Sequence, residues 1–151
     1  MTTEENYNTR RSAFWRVIRA VVSRLHIANV DENTWPSYLI WSNLYKVSPA
    51  KGGNPNSELR CAQFNECVQL LQWELENYRP SRILFLTGRA WADPFLTQVW
   101  NDRVERNGHS FVECIGHVAC GPHHAATCVV ASHPQGKNET NWVNDVVAAF
   151  N

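Results

Sequence analysis

The sequence predicts an α/β domain, a three-layer sandwich with a short, mostly parallel sheet flanked by helices. Two observations carry this. Stretches with apolar residues at helical spacing alternate with short apolar runs. The clearest run, Arg82-Ile-Leu-Phe-Leu-Thr87, lacks polar alternation, as a parallel strand covered on both faces does. The 151 residues suit one domain spanning 1–151, with residues 1–11 polar and expected to fray.

From Ser12 to Ile27, Phe14, Val17, Ile18, Val21, Val22 and Leu25 mark an amphipathic helix. Asp31 to Pro36 reads as a loop and Tyr38 to Tyr45 as a buried strand. Ser48 to Ser57 is rich in Gly, Pro and Asn, and Asn56 or Ser57 can cap the next helix. That helix runs to Tyr78, with Phe64, Cys67, Val68, Leu71 and Leu75 on one face, and Pro80 stops it. Arg82 to Thr87 is the next strand. Gly88 turns the chain toward a helix expected near Asp93–Val104. Phe111 to Ala119 is a weaker strand or hairpin, Thr127 to Ser132 a strand, and His133 to Asn138 a loop. Asn141 to Phe150 closes the domain as an amphipathic helix.

Composition excludes several classes. Fourteen Lys and Arg balance 14 Asp and Glu, which argues against a nonspecific polyanion binder but leaves room for a local basic cleft. Eleven of those cations are Arg, the better phosphate fork. No apolar run approaches the roughly 20 residues of a membrane span, and no signal peptide opens the chain. Five Cys without a C-x-x-C pair fit a reduced, cytoplasmic setting. Seven Trp are many for this length. They either fill a core or offer faces for stacking. G-x-S-x-G, Walker, G-x-G-x-x-G and H-E-x-x-H motifs are absent.

Polar groups gather at the expected strand exits, where α/β sheets build sites. Asn43 carries donors and an acceptor on one amide, able to read the Watson–Crick edge of a base or to close a turn. Lys46 precedes the Gly-Gly-Asn-Pro loop and can meet a phosphate or water. His133 leaves the last strand before a stiffening Pro134. It can donate to a carbonyl oxygen that gains charge, or serve as a loop histidine. Cys114, His117, Cys120, His123, His124 and Cys128 suggest zinc. Their spacing matches no finger pattern, and a hairpin would splay alternate residues, so no metal is expected.

The order Tyr38-Leu-Ile-Trp-Ser-Asn-Leu-Tyr-Lys46, a Pro/Gly/Asn/Pro loop, a helix with Glu58 and Cys61, Pro80-Ser-Arg-Ile-Leu-Phe-Leu-Thr-Gly88, and Val129-Val-Ala-Ser-His-Pro134 resembles the uracil-DNA glycosylase superfamily. It is most similar to the branch whose strand ends in Asn-x-x-Lys before a Pro/Asn/Arg/Pro loop. The resemblance covers about 38–147. It implies that Asn43 reads a flipped base and that His133 bonds a base carbonyl and supports the leaving anion. It implies DNA contacts for Lys46, Asn54, Pro55, Ser132, Gln135 and Lys137.

The sequence departs from that pattern in three places. No Gly-rich water-positioning motif precedes Asn43, so Asp31 and Glu32 are the candidate water-orienting carboxylates. Gln135 and Gly136 stand where a Leu wedge would. Val47 replaces a Cys ligand, so no iron–sulfur cluster and no other cofactor is expected. A thinner wall before Asn43 implies a wider pocket.

The resulting expectation is a DNA glycosylase that hydrolyses the N-glycosidic bond of a flipped base to leave an abasic site. The base would be a modified cytosine of phage DNA, or uracil, in anti-phage defence or base-excision repair. The alternative is a catalytically lapsed module that binds nucleic acid or protein. A third reading is an unrelated nucleotide- or metal-binding α/β domain.

Overall fold

The computed structural model describes residues 9–106 and 110–151. Of the N-terminal segment expected to fray, residues 1–8 lie outside the described residues, and Thr9–Arg11 form a 3-10 turn. Helix α1 (Ala13–Arg24) is followed by a 3-10 turn at Trp35–Tyr38, and α2 spans Ser57–Tyr78. Then come β1 (Arg82–Phe85), α3 (Arg89–Leu96), β2 (Trp100–Glu105), β3 (Val112–Ala119), β4 (Ala125–Ala131) and α4 (Glu139–Phe150).

The sheet order is β1-β4-β3-β2. Only β1 and β4 run parallel, while β3 is antiparallel to both β4 and β2. The fold is thus α/β with a mixed sheet, which corrects the expectation of a mostly parallel one. The reason is local. Short connections join β2 to β3 and β3 to β4, and such links allow only antiparallel neighbours.

Central β4 carries the core. Ala126, Cys128, Val129, Val130 and Ala131 are all fully buried. Cys128 and Val130 face a layer with Leu75 of α2 and Ala92 and Leu96 of α3. Val129 and Ala131 face the other layer, with Val17 and Val21 of α1 and Trp142 and Val146 of α4. Alternating burial along one strand therefore puts two helices on each side of the sheet.

A β-bulge interrupts this alternation in β3. Val112 pairs with Ala131 and Cys114 with Val130, leaving Glu113 as the extra residue. Val112 and Ile115 consequently pack toward α1 and α4, while Cys114 and Val118 face α2 and α3.

Two further expectations are corrected. The strand expected at Tyr38–Tyr45 does not form. Trp35-Pro36 starts a 3-10 turn instead, and 39–47 follows irregularly. Consecutive Leu44 and Tyr45 both pack toward the α2–α3 layer, which a pleated strand would forbid. The Gln63 side chain takes both the N–H and the C=O of Val47, at 2.9 and 2.8 Å, and so substitutes for a neighbouring strand. The helix expected near Asp93–Val104 instead spans Arg89–Leu96, and Trp100–Glu105 is an exposed edge strand. Edge position removes the burial pattern that would have marked it.

Helix ends follow side-chain chemistry. Asn56 Oδ1 accepts from Leu59 N–H at 2.9 Å, and Asn138 Oδ1 accepts from Asn141 N–H at 3.0 Å. Across the α1–α4 layer, Arg16 Nε donates to Glu139 Oε2 at 3.0 Å, and Arg24 bonds Asn144.

Gly116 sits where β2 and β3 approach most closely. A Cβ there would lie 2.1 Å from Asp102 O and 2.8 Å from the Trp100 ring. Gly116→Ala should therefore unseat β2 and cost about 2–3 kcal/mol, read by urea denaturation; an unchanged midpoint would contradict the register.

The hydrogen bond from Arg16 holds the Glu139 carboxyl below its ordinary 4.5. A depressed carboxylate stabilises the fold above its unfolded value, and that gain is lost as pH falls through the folded value. Melting temperatures of the protein and Glu139→Gln should converge between about pH 6 and about pH 3. A gap that stays constant with pH would contradict this pair.

Candidate functional site

Parallel β1 and β4 end at one edge of the sheet. The two exits are tied there, because Gly88 N–H donates to Ala131 O at 2.9 Å. Gly88 takes φ +74°, which a side chain would strain, and begins α3.

His133 leaves β4 through a braced exit. The indole of Trp142, itself fully buried, donates to Ser132 O at 2.8 Å. Ser132 N–H donates to Phe111 O at 2.9 Å, and Pro134 is fully buried. His133 is exposed, and its Nδ1 accepts from Gln135 N–H at 3.2 Å. In the neutral ring that bond leaves the proton on Nε2, so the exposed imidazole presents a donor. Ser132 Oγ is buried and has no hydrogen-bond partner among the described residues.

Asn43 is exposed, and its neighbours locate it. Trp41 contacts Phe14 and Trp15 in the first turn of α1, with centroids at 6.4 and 5.6 Å. Next in α1, Arg16 holds Glu139, the first residue of α4 after the His133 loop. On the other side, Tyr45 contacts Trp91 in the first turn of α3 at 5.3 Å. Asn43 lies on the segment that links these contacts, and its neighbours Ser42 and Lys46 both bond Glu74 of α2. No hydrogen bond joins Asn43 to His133.

The other expected site residues divide. Lys46 is engaged, with Nζ 2.9 Å from Glu74 Oε1, while Ser42 Oγ donates to the same oxygen at 2.8 Å. Asn54 is exposed and Pro55 half-buried in the loop before α2, where Gly52 and Gly53 both take positive φ. Gln135 and Lys137 are exposed beside His133. Asp31 pairs with Arg19 at 3.3 Å, and Glu32 accepts from Asn29 at 3.1 Å. Neither carboxylate bonds Asn43 or His133.

A carboxylate not singled out in the sequence does stand at the strand-exit edge. The β3 bulge aims Glu113 at the start of α3, where Oε2 accepts Arg89 N–H at 2.5 Å. Beside it, Arg89 Nε meets Asp93 Oδ2 at 3.0 Å and also pairs with Glu105. The only sequence signal for Glu113 is an acidic residue inside an otherwise alternating strand.

The Cys/His set is dispersed. Cys114, Cys120 and Cys128 are buried in the α2–α3 layer, where burial pushes the Cys128 thiol up and the two neighbouring thiols add to it. His117 turns outward to Asp102 at 2.9 Å, and His124 Nε2 meets Pro80 O at 2.9 Å. No group of three or more metal-type ligands is found among the described residues.

A cavity of about 370 Å³ lies at the opposite sheet end, lined by Gln98, Trp100, Ala119 and Gly121. A second, of about 530 Å³, follows α1 between Ser23 and Asp31. Neither is lined by Asn43 or His133. No helix is long and apolar enough, among the described residues, to cross a membrane.

Comparison with protein-family models, curated proteins and solved structures returned no match.

Trp142→Phe removes the indole donor and leaves the half-buried Ser132 carbonyl without it. Urea denaturation should show a loss of about 1–3 kcal/mol. Unchanged stability would mean that the indole does not brace this exit.

Proposed function

We propose that this protein is a DNA glycosylase that hydrolyses the N-glycosidic bond of a flipped, modified base and leaves an abasic site. Modified cytosine or uracil is the substrate class. One observation carries the reading. A braced strand exit presents an exposed His133 with its Nε2 proton free to donate.

The chemistry follows from those groups. Cleavage moves the bonding electrons onto the base, and negative charge builds on its carbonyl oxygen. The His133 Nε2–H stabilises that charge more than the neutral ground state. The Asn43 amide reads the base edge. Water adds to the sugar carbon in place of the base, and its proton ends on the departing base anion. Glu113 is the carboxylate best located to orient that water, because Oε1 remains after Oε2 accepts from Arg89. Asp31 is tied to Arg19 and is the weaker candidate for that role.

A second reading, binding without cleavage, is favoured by the expected water-orienting carboxylates, since Asp31 is tied to Arg19 and Glu32 to Asn29 and neither bonds Asn43 or His133. Oligonucleotides carrying uracil, hydroxymethylcytosine or its glucosylated form separate the two. Alkaline strand scission should reveal abasic product from at least one. His133→Ala and Asn43→Ala should each slow it by about a hundredfold or more, and Glu113→Gln should slow it while leaving DNA affinity intact. DNA binding without product from any substrate would favour the second reading.

A further inference from the structure

We infer that the partner at this site is single-stranded DNA, with an unpaired base stacked on Trp41 and nearby phosphates met by the arginine-rich segment that begins α1. The inference rests on the nucleic-acid reading of this site and names the strand state that it takes.

Seven Trp leave open whether aromatics serve core or surface. The structure divides them. Trp142 and Trp35 are buried, whereas Trp41 is 63% exposed. Trp41 is not a loose side chain. Phe14 and Trp15 contact it at tilted and edge-on angles, and Trp15 in turn contacts Trp35 at 6.4 Å. A ring anchored by such contacts and mostly exposed offers surface on which a base can stack. Two residues later comes Asn43, and Ile40 beside it is 59% exposed.

Charge points to the same occupant. Residues 9–47 hold six Lys and Arg side chains and two carboxylates in a chain whose net charge is zero. Arg11 is exposed three residues before Phe14. Arg16 is held by both oxygens of Glu139, but Arg19 meets the mostly exposed Asp31 through one contact, weak enough for a phosphate to exchange into it.

The His133 loop argues against a duplex. Gln135, Gly136 and Lys137 are all exposed and supply no apolar side chain to enter a base stack. Extruding a base from a duplex costs unpairing and unstacking, which a single strand avoids.

The test uses the whole protein with a fluorescein-labelled, unmodified strand of about 15 nucleotides, free of hairpins, and its blunt duplex. Anisotropy should show at least roughly tenfold tighter binding to the single strand, with a log–log salt slope of about two, as three neutralised phosphates give. Trp41→Ala should weaken single-strand binding by roughly tenfold or more, Trp41→Phe far less. The thermal melt of Trp41→Phe should match the parent, and Trp41→Ala should lose only a little stability and keep one cooperative transition.

Equal or tighter duplex binding would overturn the inference, as would single-strand binding that Trp41→Ala leaves unmoved. Self-association lost in Trp41→Ala, without DNA binding, would overturn it and mark the patch as a contact between copies. Unmodified DNA carries no base to excise, so the result is independent of catalysis. Abasic product that forms from duplex regardless of Trp41 would sink this inference and keep the glycosylase. Trp41-dependent single-strand binding without any product would do the reverse.

Discussion

The hydrogen bond from the Trp142 indole to the Ser132 carbonyl is the constraint on which the candidate site depends. Strand β4 is central and buried on both faces, so its position is set by the whole core. Where it leaves the sheet, the half-buried Ser132 carbonyl loses water and needs a donor in its place. Trp142 supplies that donor from α4, the helix that the same loop leads into. Exit, loop and helix are therefore fixed together, and His133 is held on a rigid support rather than on a free loop. A donor that must meet developing charge benefits from such preorganisation.

The same edge gathers polarity from every strand. Gly88 links the β1 exit to Ala131, and the β3 bulge re-aims Glu113 at the start of α3. Glu105 ends β2 nearby and joins Arg89. The opposite end of the sheet borders a cavity lined by Gln72, Glu76, Val99, Trp100, Ala119 and Gly121, with the exposed His117–Asp102 pair on β2 and β3 toward that end. The strand-exit end is chemically equipped, as the exits of parallel strands commonly are.

Much of this fold is legible in the sequence, because burial on both faces leaves continuous apolar runs and amphipathic helices leave a period. β1, β4, α1, α2 and α4 appear within a few residues of expectation, and Asn56 caps α2 as its side chain suggests. Where several weak local preferences compete, tertiary contacts decide. Tyr38–Tyr45 has strand composition, yet Trp41, Leu44 and Tyr45 are drawn to three different neighbours, and Gln63 captures the Val47 backbone. β2 is an exposed edge with no burial pattern to read. The antiparallel pairing of β3 depends on connection geometry rather than on residue preference. At the candidate site, the exit of His133 from an apolar strand is readable in the sequence. The place of Glu113 at the start of α3 is not, since it depends on a bulge that only the pairing register discloses.

In the proposed site, Asn43 and His133 act together on one bound strand. Backbone amide chemical shifts followed during titration with a single-stranded oligonucleotide test it most directly. Shifts should concentrate at Asn43, Gly88, His133 and Gln135. Shifts confined to Gln98–Asn101 and Gly121 at the far end, or changes at His133 without any at Asn43, would contradict it.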